Sequence, residues 1–274
     1  YIGLSAAQFD VSIAIVSVVG GDFPNHILEA FEAQSIDTSA IKVLPAEKTF
    51  FWSGRYHDNM NSRDTIVTEL NVLSKFNPVI PTYFKDANVV VLGNLSPDSQ
   101  KSVISQITNK KAFVILDTMN FWMDNALEGL LEVLKKVDVI SINEEEARQL
   151  TSEKTLALAA KKIYKMGPKF VVIKKGEHGA LLFYKDKIFS APALPLEVVF
   201  DPTGAGDTFA GGFAGFLTKT NDFSFENMKQ ALIYGSAMAS FCVEKFGPER
   251  LFKLESSALM SRLQAFKNLT QFEL

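Results

Sequence analysis

The chain has 274 residues, of which 47% are hydrophobic, a formal charge of −3 at pH 7 and one cysteine. That length and apolar content suffice for one substantial core with a small appendage. The near-balanced charge supplies no basic field for nucleic acid, and no run of about 18 or more apolar residues marks a membrane span. Cys242 stands alone in an apolar helical pattern, so it reads as a packed thiol and fits a reducing, cytoplasmic compartment.

Taken in chain order, residues 11–19 read as a strand, and residues 24–33 as a helix with Ile27, Leu28 and Phe31 on one face. Residues 41–72 break the alternation. There Thr49-Phe50-Phe51-Trp52 precedes a polar stretch containing Arg55, Asn61 and Arg63, the pattern of a small β lid. Strands follow at 89–92, 112–116, 137–142 and 170–173, with a helix at 128–136 carrying Leu130, Leu131 and Leu134. Residues 180–189 place two apolar runs around a polar turn and read as a hairpin. The run 196–200 is short, apolar and β-branched. Beyond it Phe209, Phe213 and Leu217 recur at helical spacing. A helix dense in small residues spans 231–240, and Phe246-Gly247-Pro248 stops it. This alternation predicts an α/β domain with a mostly parallel central sheet covered by helices on both faces. The core comprises residues 1–40 and 73–274, and the lid 41–72.

In such sheets ligands gather beyond the carboxyl ends of the strands. That rule makes Asn94, Asp117 and Asn120 substrate candidates, joined from the lid by Arg55, Asn61 and Arg63. Asn143 and Glu146 follow the strand 137–142 and, taken alone, read as an acidic, well-capped helix start. Lys174, Lys175, Gly176 and Gly179 follow the next strand as a glycine-containing loop. The richest segment is Asp201-Pro202-Thr203-Gly204-Ala205-Gly206-Asp207-Thr208-Phe209. Small residues at 204–206 let an anion reach the free N–H groups of a first helical turn, whose dipole favours negative charge. Asp207 lies in that turn, placed to take a proton from a hydroxyl.

The segment 201–209 resembles the C-terminal signature of the ribokinase-like PfkB carbohydrate kinases, and the resemblance extends from about residue 10 to about residue 265. It implies that Asp207 is the catalytic base and that the amides of Gly204, Ala205 and Gly206 form the anion hole, with Asp201 fixing the loop. Asn143 and Glu146 match the family's Asn-x-x-Glu motif, which acts on the magnesium ion and phosphates. Residues 174–179 match its Thr-x-Gly-x-x-Gly nucleotide loop, with Lys174 in place of Thr as a point charge for phosphate. Ser236 falls where many relatives carry Asn near the base, and Gly247 lies in a turn near the nucleotide. The resemblance further implies ATP and Mg²⁺ as cofactors, a monovalent-cation site in some relatives, and a lid that sometimes pairs subunits into a homodimer. It also implies an N-terminal strand and a di-glycine motif ahead of Tyr1.

The expected activity is phosphorylation of a hydroxyl on a small sugar or sugar-like substrate, with a nucleoside kinase of the same superfamily as the nearest alternative. The alternative of another class is a kinase-like binding or regulatory protein that keeps the fold without turnover. Neither a GxxxxGK[ST] P-loop nor the protein-kinase motif set is present.

Overall fold

The computed structural model describes residues 1–271. In chain order its elements are α1 (Ile2–Ala7), β1 (Ile13–Ala14), β2 (Ser17–Gly20), α2 (Asn25–Ala33), β3 (Ile36–Asp37), β4 (Ile41–Leu44), β5 (Phe51–Tyr56), β6 (Arg63–Glu69), β7 (Val89–Leu92), α3 (Pro97–Gln106), β8 (Phe113–Asp117), α4 (Asn120–Asn125) and α5 (Leu127–Leu134). They continue with β9 (Val139–Asn143), α6 (Glu144–Thr151), α7 (Leu156–Tyr164), β10 (Phe170–Lys174), β11 (Ala180–Tyr184), β12 (Lys187–Ala191), α8 (Ala205–Thr220), α9 (Phe225–Cys242), α10 (Glu249–Phe252) and α11 (Ser256–Thr270).

The central sheet has six strands in the order β12-β11-β10-β9-β8-β7. Strands β7 to β10 run parallel, and the β11–β12 hairpin adds two antiparallel strands at one side. The parallel strands are near-continuous apolar runs because helices bury both of their faces. Strand alternation divides them cleanly. Phe113, Ile115, Val139, Phe170 and Val172 join a core with Phe209, Phe213, Met238 and Phe241 of α8 and α9. Val114, Leu116, Ile140, Ile142, Val171 and Ile173 join a second core with Leu130, Leu134, Ala159 and Ile163 of α5 and α7. Burial of each Val, Leu, Ile, Phe or Met side chain among them contributes about 1.5–3 kcal/mol, so the sheet is held from both sides.

Two strand expectations do not hold. Residues 11–19 form two short strands, β1 and β2, which pair with β3 and β4 outside the central sheet. Residues 196–200 form no strand. Val198 and Phe200 are exposed, and the Phe200 amide donates to Val243 O at 2.7 Å, so this run docks on the end of α9 with no strand beside it. Helix α1 was not legible in the sequence; it packs on α8, where Ser5 Oγ donates to Thr208 O at 2.6 Å.

Of residues 41–72, β5 and β6 form a two-stranded antiparallel sheet of their own, while β4 pairs with β2. Cys242 is buried in α9, and burial pushes its thiol pKa up, which leaves it a packed and unreactive group. Among the described residues no helix is long and apolar enough to cross a membrane.

Candidate functional site

The site is built first by the sheet. In β8 the residues at 113 and 115 face α8, so alternation turns Asp117 to that same face; the same count in β10 turns Lys174 there, and in β9 Ser141 and Asn143. Register brings them level, with Asp117 opposite Ser141 and Asn143 opposite Lys174. Lys174 Nζ donates to Asp117 Oδ1 at 3.1 Å. Burial opposes the ammonium charge of Lys174, but the carboxylates of Asp117 and Glu146 outweigh it and hold its pKa above the ordinary value. Ser141 Oγ and Thr118 Oγ1, next to Asp117 in space and sequence, are buried without a hydrogen-bond partner among the described residues.

Asn143 caps α6. Its Oδ1 accepts from the Glu146 amide at 2.8 Å, and Glu146 Oε2 accepts from the Asn143 amide at 2.8 Å, a reciprocal capping box. The box fixes the Glu146 carboxyl at the sheet edge. Burial raises its pKa to about 7, against the opposing pull of Lys174; the charge of Arg63, at the start of β6, acts in the same lowering sense.

The segment 201–207 approaches from the other side. Asp201 Oδ1 accepts from the Thr203 amide at 2.9 Å and Oδ2 from the Gly247 amide at 3.3 Å, tying the loop to the turn after α9. Gly204 at φ 80° turns the chain into α8, a conformation that disfavours any side chain. No side chain caps the helix. The Ala205 amide is taken, donating to Pro202 O at 3.1 Å, so of the three small residues expected to supply amides, Ala205 supplies a turn bond instead. Asp207 lies in the first turn of α8. Burial, then the nearby charge of Asp117, raises its pKa, and Lys174 opposes the rise. Lys174 Nζ reaches far enough that a Cβ placed on Gly206 would lie 3.2 Å from it. Asp117, Glu146, Lys174 and Asp207 thus form one electrostatic group.

The β5–β6 hairpin meets two loops. Tyr56 OH and Thr203 Oγ1 are 3.2 Å apart, and Asn61 Nδ2 donates to Glu177 Oε1 at 2.6 Å. Neither Tyr56 nor Glu177 was singled out from sequence. Asn61, expected to touch substrate, has both ends of its amide engaged by Glu177. Arg63 packs over the Trp52 ring at 5.6 Å, and Arg55 is exposed on the hairpin. Asn94 is also engaged, accepting from Trp122 Nε1 at 2.8 Å and donating to Met119 Sδ at 2.8 Å. Asn120 opens α4 with its Oδ1 on the Phe121 amide.

In the loop 174–179 expected to meet the nucleotide, Lys175 is half-buried, and its amide donates to Gly179 O at 2.7 Å; Lys174 points back into the acidic group and not along the loop. Ser236 is buried in α9, beside Gly235, whose missing side chain admits the Phe209 ring and backbone of α8. Packing accounts for this small-residue stretch.

Residues 4–253 match the family described as pfkB family carbohydrate kinase. A cytidine kinase of Thermococcus kodakarensis is 32% identical over 218 residues, 77% of this chain and 76% of the relative. The ribokinase of Lactococcus lactis is 26% identical over 245 residues, 86% of this chain and 75% of that protein. An E. coli protein provisionally named ribokinase II, solved with ATP and Mg²⁺, superposes with a TM-score of 0.79 at 23% identity, covering 96% of this chain and 87% of its own, a likeness of fold.

Proposed function

The chain belongs to the pfkB family of carbohydrate kinases, and on that premise we propose that it transfers the γ-phosphoryl group of ATP, with Mg²⁺, to a hydroxyl of a small sugar or nucleoside. The observation that carries the reading is the meeting of Asp117, Glu146 and Lys174 from the sheet edge with Asp207 at the uncapped start of α8. Asp207 accepts the proton of the attacking hydroxyl. Its raised pKa makes the carboxylate a stronger base than a solvated one. The first-turn amides and the dipole of the 16-residue α8 stabilise negative charge on the transferring group.

The residues present fit magnesium. Among the described residues there is no cluster of three or more His, Cys, Asp or Glu that would hold a metal alone, and the sparse oxygen donors of Glu146 and Asn143 match an ion that keeps its waters and binds mainly through phosphate. When bound, the ion offsets charge on the phosphates. Lys174 supplies fixed positive charge beside the same carboxylates, which limits their mutual repulsion.

A second reading narrows the acceptor to a nucleoside. The 32% identity to a cytidine kinase across three quarters of both chains favours it, and the names cytidine kinase and ribokinase share a ribosyl ring as acceptor. The test is ADP release from ATP and Mg²⁺ with D-ribose, other free sugars, sugar phosphates, cytidine and other nucleosides, on the parent protein and Asp207→Asn. Acceptor-dependent turnover that falls at least about 10²-fold in the variant supports the kinase and identifies its acceptor class. Acceptor binding without ADP release in the parent overturns the reading in favour of a non-catalytic protein.

A further inference from the structure

Asn61 lies in the turn between β5 and β6, and Glu177, 116 residues away, lies in the loop after β10. Their contact is two-sided: Asn61 Nδ2 donates to Glu177 Oε1 at 2.6 Å, and the Glu177 amide donates to Asn61 Oδ1 at 3.3 Å. The turn is preformed, since Asn59 Oδ1 accepts from the amides of Asn61 and Ser62, both at 3.1 Å. Glycine at 176 suits the approach: it adopts φ 55°, and a Cβ there would crowd Asn61 Oδ1. A second tie joins the same hairpin to the loop before α8, through Tyr56 and Thr203. Tyr56 and Arg63 are opposite each other in register, so the end of the hairpin that carries Arg63 is fastened at both loops.

Resting on the kinase reading above, we propose that the Asn61–Glu177 bond is a latch by which occupation of the nucleotide loop holds the lid closed. Asn61 and Glu177 are then positioning residues, and the lid responds to the phosphate donor as well as to the acceptor. A nucleotide that orders residues 175–179 removes part of the entropy cost of forming the latch, and linkage requires that lid closure tighten nucleotide binding by the same factor.

The test uses charge. Asn61→Asp sets a carboxylate against Glu177 and breaks the latch; Asn61→Asp with Glu177→Gln restores a donor–acceptor pair. Trp122→Phe as the background leaves Trp52 of the lid as the one indole of the chain's two. The probe is a non-hydrolysable ATP analogue, adenylyl imidodiphosphate, with Mg²⁺. Expected is a Trp52 fluorescence change on binding, an affinity about fivefold weaker in Asn61→Asp, and recovery in the double variant. Hydrogen exchange across 57–69 without nucleotide is expected to rise in the single variant and return in the double. Unchanged affinity and unchanged exchange in Asn61→Asp overturn the latch, as does a folded double variant that recovers neither. Altered exchange with unchanged affinity overturns the donor coupling. A parent protein that binds no nucleotide at all overturns the kinase reading and the coupling together, a pattern distinct from the others.

Discussion

Lys174 ends β10 and Asp117 ends β8, and with β9 between them the two side chains meet at 3.1 Å on the α8 side of the sheet. Both are largely withdrawn from solvent, with 17% and 10% of their side-chain surfaces exposed. A buried ammonium among Asp117, Glu146 and Asp207 is held charged by them, and it keeps three acidic groups compatible in one place.

Removing the cation is expected to be costly for this reason. Lys174→Met leaves Asp117 buried and unpaired, which destabilises by about 3 kcal/mol or more. Adding Asp117→Asn removes the orphaned charge and recovers most of that stability, while turnover stays low because the fixed positive charge is gone. Urea unfolding of both variants beside ADP-release assays measures this. A single variant within about 1 kcal/mol of the parent would show that solvent screens the pair.

Asp201 is expected to act on loop order more than on chemistry. Its two oxygens accept from the amides of Thr203 and Gly247, so Asp201→Ala strands two donors and costs about 1–3 kcal/mol. Faster hydrogen exchange at residues 203 and 247 is the specific readout. Equal exchange in parent and variant would refute the tie.

The parallel core was legible because its strands are continuous β-branched runs: residues 89–92 and 170–173 fall within β7 and β10 almost residue for residue. The run 196–200 is likewise short and rich in β-branched residues, and it forms no strand because such a pattern carries no information about a neighbour to pair with; Phe200 spends its amide on Val243 instead. Residues 11–19 were misread as one strand for a related reason, as their partners β3 and β4 are two-residue and four-residue strands outside the sheet. Within the site, the sequence locates Lys174 at a loop. Its direction toward Asp117 follows from alternation counted down β8 and β10 together, a step available only once both strands are placed in one sheet. Asn61 shows the limit of local reading. A polar residue in a lid turn gives no sign of a partner 116 positions away.

Gly179 offers a backbone test of the loop after β10, the proposed nucleotide loop. It adopts φ 83°, and a Cβ there would run into the carbonyl oxygen of Ala191 on the neighbouring strand, where no side chain can move aside. Gly179→Ala is therefore expected to destabilise by about 2 kcal/mol or more and to loosen nucleotide binding. Gly93→Ala is the control, since its nearest neighbour is the tip of the Ile2 side chain at 3.6 Å. Calorimetric melting that lowers both variants equally would contradict the backbone collision.

The pH dependence of Glu146 has a definite sign. Its pKa rises from 4.5 to about 7 on folding, chiefly through burial, so between those values the folded chain holds a proton that the unfolded chain has released. Stability then falls as pH rises across that window, by up to about 1.4 kcal/mol per pH unit from this group. Glu146→Gln removes the titration, and its difference in stability from the parent is expected to grow in favour of the variant from pH 5 to pH 8 without metal. On the proposed role of Glu146 beside Mg²⁺, the Mg²⁺-dependent nucleotide affinity of the parent is expected to rise more steeply over the same interval than that of the variant, in which only the nucleotide's own phosphate titrates. Urea midpoints at pH 5, 6, 7 and 8 in EDTA, followed by nucleotide titrations with Mg²⁺, separate the two effects. A parent–variant stability difference that is constant with pH would mean that Glu146 is already ionised at pH 5 and that its burial leaves it better solvated than its position among Lys174, Asp117 and Asn143 implies.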